Sequence, residues 1–312
     1  MNVLFLDSCH PALKQELENM RFSCEEDFTS SKEEVQRKIG SYQGIVIRSR
    51  FKLDDLFLDH CTALRFIARV GAGMENINVA YARSKGIACL HAPEGNRDAV
   101  GEHAIGMLLC LFRNIARANK EVRKGKWIRE ANRGYELGGK TVGIIGYGNT
   151  GSAFAKKLRG FDCTVLAYDK YKKNFSDGLA KEAAMDELFE RTDILSLHLP
   201  LTEETTYLVN DAFISRFKKS IYVINTARGK IIRTDDLVKN MRSGKVLGAC
   251  LDVLEYEALS FEELDRASLP PAFRYLAKSK RTLLTSHIGG WTFESNEKMA
   301  RVLAEKIRSL FA

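Results

Sequence analysis

The sequence predicts an α/β protein built from two doubly wound, parallel-sheet domains. Three observations lead there. The chain has 312 residues, more than a single hydrophobic core usually organises. Short β-branched runs alternate with helical patterns along most of its length. A glycine-rich turn, GYGNTG, stands between one such run and the helix that follows it.

Taken in order, the first series reads as strands at NVLFL, GIVIR, LRFIARV and IACLH, with helices at ALKQELENM, LDDLFLDHC and NVAYARSKG. Residues 97–127 then read as one long amphipathic helix, because Ala104, Met107, Leu108, Leu111 and Ile115 follow helical spacing. A second series follows, with strands at TVGII, CTVLAY, DILSLH, SIYVIN, VLGACLD and RTLLT. Helical stretches separate them, among them GSAFAKKLRGF, AAMDELFER and TDDLVKNMRSG. Six parallel strands with crossover helices make a complete Rossmann-type domain. The first series suits a flavodoxin-like domain, and residues 293–312 form a last helix.

Composition excludes several classes. An apolar fraction of 45% and a charged fraction of 28% are ordinary for a globular protein. The longest apolar runs, such as GMLLCLF, are too short to cross a bilayer, and MNVLFLDSCH has no signal-peptide pattern. Seven scattered cysteines without a C-x-x-C pair argue against a disulfide framework and a cysteine-based metal site; a reducing, cytoplasmic compartment is expected. The net charge of +8 raises nucleic acid as a partner. The basic residues are interspersed with acidic ones, however, as in KEEVQRK and NKEVRKGK, so a small anionic substrate explains the charge at least as well. No nucleic-acid, membrane or metal partner is expected.

The chemistry-bearing signal is local. Gly146, Gly148 and Gly151 form G-x-G-x-x-G after an apolar strand and at the start of a helix. Glycine is needed where the turn is tight, where backbone approaches a pyrophosphate, and where helix packs on strand. Asp169, at the end of the next strand, is placed to accept from the adenosine ribose 2′-hydroxyl. A carboxylate there repels a 2′-phosphate, so NAD is favoured over NADP; Lys170, Lys172 and Lys173 work against that preference. The later strands end at His198 and Pro200, at Arg228, at Asp252 and Glu257, and at His287. In an open parallel sheet these ends share one edge with the glycine turn. Histidine can exchange the hydroxyl proton during hydride transfer, a carboxylate can orient it, and an arginine fork matches a substrate carboxylate. The expected chemistry is redox interconversion of 2-hydroxy and 2-oxo acids.

GYGNTG followed by YD, then LPLTEET, INTARG, LDVLEYE and HIGG, with VGAGMENIN and GKWIRE ahead of them, resemble the D-isomer-specific 2-hydroxyacid dehydrogenases over nearly the whole chain. The resemblance implies that Arg228 binds the substrate carboxylate, Glu257 pairs with His287, and His287 is the acid/base. It also implies that Asp252 contacts the nicotinamide amide. Asn149, Thr150, His198, Pro200 and Thr226 would join the glycines and Asp169 around NAD. Residues 1–94 with 288–312 would form a discontinuous substrate domain and 95–287 the cofactor domain. A homodimer through the long helix region is implied as well.

Within the family, IRSR, RVGAGMEN, GNRDAVGEHAIGM and GKWIRE resemble the branch that oxidises D-3-phosphoglycerate to 3-phosphohydroxypyruvate, the first step of serine biosynthesis. That branch implies substrate contacts from Arg48, Ser49, Arg69 and Gly71, with Arg129 reaching in from a partner subunit. No C-terminal regulatory module is expected. The alternatives are another D-2-hydroxyacid dehydrogenase or a glyoxylate/hydroxypyruvate reductase, and, from a different class, an NAD-sensing corepressor-like module. Three departures from the family pattern bear on substrate: Ser286 before the histidine, Trp291 after HIGG, and the long ALSFEELDRASLPPAF segment after Glu257.

Overall fold

In the computed structural model, which describes residues 1–257 and 269–311, two compact units form. The first comprises residues 1–97 and 291–311, the second 98–257 and 269–290. Both crossings fall three residues beyond the expected 94/95 and 287/288. The reasons are local. The first turn of helix Pro93–Phe112 packs on the C-terminal helix, where a Cβ at Gly95 would collide with Met299. The HIGG stretch, by contrast, is bonded to Asp252 of the second unit.

The first unit holds strands β1 (Asn2–Phe5), β2 (Ser23–Glu26), β3 (Gly44–Ile47), β4 (Phe66–Arg69) and β5 (Ala88–His91). All are parallel, in the order β2-β1-β3-β4-β5 expected of a flavodoxin-like sheet. Alternation along each strand divides the core between the two faces. Leu4, Ile45 and Ile67 pack with Val35, Ile39 and Phe57 on one side. Val3, Phe5, Val46 and Phe66 pack against Met299, Leu303 and Ile307 of helix Phe293–Phe311 on the other. Polar side chains start the surface helices, including a Ser31–Glu34 capping box and Asp54 and Asn78 caps.

The second unit holds β6 (Thr141–Ile145), β7 (Thr164–Tyr168), β8 (Lys181–Glu182), β9 (Ile194–Leu197), β10 (Ile221–Asn225), β11 (Val246–Leu251) and β12 (Thr282–Leu284). The order β12-β11-β10-β9-β6-β7-β8 is that of a Rossmann sheet extended by one strand, with its switch point between β6 and β9. The sheet therefore has seven strands, not six. The extra one, β8, is a two-residue charged edge strand that pairs with Leu166 and Ala167, and it has no apolar run to announce it.

The single long helix is also corrected. Two helices, Pro93–Phe112 and Ile115–Val122, meet at a 61° bend. Asn114 adopts a left-handed conformation (φ 53°), which asparagine tolerates better than most residues. Farther along, Tyr135 N donates to the Phe112 carbonyl at 3.0 Å, capturing an acceptor that a continuing helix would have used. Gly134 permits that approach, since a Cβ there would collide with the same carbonyl. No single helix among the described residues is long and apolar enough to cross a membrane.

Candidate active site

The site is built on the carboxyl edge of the second sheet. Tyr168, Ile145, Leu197, Asn225, Leu251 and Leu284 are in register across six neighbouring strands. The next residue on each strand therefore falls in one row: Asp169, Gly146, His198, Thr226, Asp252 and Thr285. At about 4.8 Å per strand the row runs roughly 24 Å. The motifs alone point to the first five; Thr285 carries no signal of its own.

Around the glycine turn, two of the three glycines serve the chain itself. Gly146 has φ +92°, and a Cβ there would collide with the His198 carbonyl; one at Gly151 would strike the Gly146 carbonyl. A Cβ at Gly148 would meet only open space. Its glycine is therefore explained by room for something other than the chain, directly before the N-terminus of helix Asn149–Leu158. Thr226 Oγ1 gives a second sign: it is buried and has no hydrogen-bond partner among the described residues. Both features fit a bound dinucleotide.

Asp169 is held in place by backbone donors, from Tyr147 N at 2.9 Å and from Tyr171 N and Lys172 N at 3.0 Å. Burial opposes its charge, but these donors and Lys172 keep its pKa below the ordinary carboxylate value. Two of the lysines that oppose NAD preference are occupied: Lys170 Nζ bonds Glu204 at 2.7 Å, and Lys172 Nζ bonds the Tyr147 carbonyl at 2.9 Å.

His198 is buried, with Nε2 2.9 Å from Ser196 Oγ and Nδ1 3.2 Å from Thr150 Oγ1. Burial lowers its pKa to about 3, so the ring is neutral and ties the glycine-turn helix to β9. The Thr150 hydroxyl serves that same tie. Pro200 is exposed, and its carbonyl accepts from Thr205 Oγ1 at 2.7 Å.

The groups expected to react come from the next three strand ends. After β10, Asn225 shapes the turn: its Oδ1 accepts from Ala227 N at 3.0 Å and its Nδ2 donates to the Arg228 carbonyl at 2.9 Å. Gly229 follows, where a Cβ would run into the Leu254 backbone. The Arg228 turn and the turn that ends in Glu257 can therefore lie against each other. His287, after β12, places Nδ1 2.7 Å from Glu257 Oε2, while Leu254 N donates to Glu257 Oε1. Glu257 thereby orients the His287 ring through Nδ1.

His287 adopts a left-handed backbone (φ 56°), costly for a non-glycine residue by about 1 kcal/mol or more. Asp252 holds it there. The Asp252 carbonyl accepts from His287 N at 2.7 Å, and its carboxylate accepts from Ile288 N at 2.9 Å, Gly289 N at 2.7 Å and Thr285 Oγ1 at 2.6 Å. Burial would raise this carboxyl, but hydrogen bonds from His103, Thr285, Ile288 and Gly289 bring its pKa down to about 2. The resemblance assigns Asp252 to the nicotinamide amide; in this structure its carboxylate also anchors the His287 loop.

The residues expected at the substrate divide between the units. Arg48, Ser49, Arg69 and Gly71 belong to the first, and Arg129 is exposed on a short turn of the second. At the β1/β3 switch point, Asp7 Oδ2 accepts from the backbone N–H groups of Arg48, Ser49 and Arg50 at 2.6, 2.9 and 3.1 Å. The Arg48 guanidinium lies 4.8 Å from the Trp291 ring centroid. Arg69 is 9% exposed, and its guanidinium lies where a Cβ at Gly71 would stand. Segment 258–268, within the long stretch after Glu257, lies outside the described residues.

Residues 105–289 match the D-isomer specific 2-hydroxyacid dehydrogenase NAD binding domain. A hydroxypyruvate reductase of Thermotoga maritima is 37% identical over 88% of this chain and 87% of its own length. A D-3-phosphoglycerate dehydrogenase of Archaeoglobus fulgidus is 34% identical over 89% of this chain, which spans only 51% of that protein. The crystal structure of an Aquifex aeolicus D-lactate dehydrogenase with NAD and lactic acid superposes with a TM-score of 0.84 at 27% identity, covering 100% of this chain and 95% of that one.

Proposed function

We propose, for a chain that belongs to the NAD-dependent D-isomer-specific 2-hydroxyacid dehydrogenase family, that it interconverts a small, unphosphorylated 2-oxo acid and its D-2-hydroxy acid. The His287–Glu257 pair at 2.7 Å, with Glu257 one strand and His287 two strands from the Arg228 turn, carries the reading of the chemistry. Held by the glycine turn and Asp169, NAD would accept or supply the hydride. Arg228 holds the substrate carboxylate through its planar fork. His287 Nε2 removes the hydroxyl proton during oxidation and returns it to the carbonyl oxygen during reduction. Glu257 keeps the imidazole oriented and stabilises its protonated form.

For substrate choice the carrying observation is the state of the arginines. A phosphoryl group needs cations beyond Arg228, yet the Arg48 guanidinium is stacked on Trp291 and Arg69 is buried over Gly71. This favours hydroxypyruvate or glyoxylate over a phosphorylated acid, as does the near full-length match to a hydroxypyruvate reductase. D-3-phosphoglycerate is the second reading, favoured by the Asp7 clamp that presents Arg48 and Ser49 from a switch point. Purified protein should oxidise NADH with hydroxypyruvate or glyoxylate and form little NADH from D-3-phosphoglycerate. The opposite preference would restore the phosphoglycerate reading and its place in serine biosynthesis.

The protein also functions, in this reading, as a homodimer through residues 115–135. Helix Ile115–Val122 has no buried residue, while Ile115, Val122, Trp127, Ile128 and Tyr135 are exposed, Trp127 by 82%. Sedimentation should give a dimer, and Trp127→Glu should shift it to monomer. A wild-type monomer would refute the assignment.

A further inference from the structure

Helix Pro93–Phe112 brings His103 under the His287 loop, and nothing in the reaction above uses it. Its Nε2 lies 3.1 Å from Thr285 Oγ1 and 3.2 Å from Asp252 Oδ1. An ionised carboxylate only accepts, so in the contact with Asp252 this nitrogen carries the hydrogen. Gly289 closes over the same group: a Cβ there would come 2.8 Å from Asp252 Oδ2 and 3.4 Å from His103 Cδ2. The Asp252 carboxylate is 1% side-chain exposed, and a charge so buried keeps its place only through its donors.

We propose that His103 is a positioning residue for His287. By donating to Asp252 it orients the carboxylate that grips the N–H groups of Ile288 and Gly289, and so sets the left-handed backbone that aims the acid/base. Without that donor the carboxylate turns toward its remaining partners and the loop after β12 loosens. Arg228, which binds the substrate carboxylate from a different turn, is untouched. The loss therefore falls on kcat, not on KM. This inference rests on reading His287 as the acid/base.

The test compares His103→Leu, which fills the space without a donor, with His103→Gln, which restores an N–H. With the 2-oxo acid that the wild type reduces, His103→Leu should lower kcat about 10- to 100-fold, with KM within about twofold. His103→Gln should stay within about threefold of wild type on both constants. Wild-type kcat in the leucine variant, or equal losses in both variants, overturns the proposal. A second readout needs no turnover. The NMR signal of the His287 Nδ1–H bound to Glu257 should shift or broaden in His103→Leu and persist in His103→Gln; an unmoved signal in the leucine variant also overturns it. If the leucine variant does not fold, Thr285→Val removes a second donor to the same carboxylate and is read identically. A wild type inactive on every acid would defeat the functional reading alone, and the NMR comparison would still decide the positioning role.

Discussion

His287→Ala is expected to reduce kcat by about 10³-fold, close to 4 kcal/mol of transition-state stabilisation, and to leave KM for the 2-oxo acid nearly unchanged. The size follows from what is removed. In the proposed reaction the ring is the proton donor and acceptor at the reacting oxygen, whereas Arg228, on another strand end, binds the substrate carboxylate. Glu257→Gln separates the two functions of the carboxylate. Glutamine Oε1 can still accept from Nδ1 and hold the ring, but it cannot balance a protonated imidazole, and its NH2 replaces the oxygen that accepts from Leu254 N. A smaller loss, about 10- to 100-fold, is expected there. Steady-state kinetics in both directions with NAD and NADH measure these effects. An alanine variant within tenfold of wild type would remove His287 from its assigned role, and equal losses in both variants would show that Glu257 acts only through charge.

The second large effect is on stability in acid, and it comes from His198. The ring is buried between Ser196 and Thr150 with its pKa lowered to about 3, against about 6.5 in the unfolded chain. Below about pH 6.5 the unfolded chain takes up a proton that the fold refuses. The stabilisation is complete above that pH and is drained as pH falls toward 3. At about 1.4 kcal/mol per unit, roughly 2–3 kcal/mol should be lost by pH 4.5 from this one group. Thermal unfolding of wild type and His198→Gln between pH 7.5 and 4.5 tests this. The variant starts less stable, since it gives up a tie between β9 and the glycine-turn helix, but its melting temperature should fall less steeply with pH. Parallel slopes would mean that His198 titrates normally in the fold.

Much of this molecule was legible without coordinates because the signals are local. A buried parallel strand must be a short apolar run, so TVGII, SIYVIN and VLGACL declare themselves. A glycine that must adopt φ +92° or let backbone pass closely leaves its mark at a fixed spacing, as Gly146 and Gly151 do. Because every strand is parallel, reading to the end of each run also found four of the six residues that stand in one row, Asp169, Gly146, His198 and Asp252, while Thr226 came from the family resemblance.

What the sequence could not convey depends on partners distant along the chain. The two-residue strand β8 exists only because β7 offers it an edge. At the bend by Asn114, Tyr135 takes the Phe112 carbonyl from 23 positions away. Ile288 and Gly289 close on Asp252 across 36 and 37 positions, and His103 meets Thr285 across 182 positions of sequence. Periodicity and spacing record which face of an element is buried. They hold no record of which donor, brought from another element, completes the hydrogen bonding of a buried charge, as His103 and the residues after β12 do for Asp252.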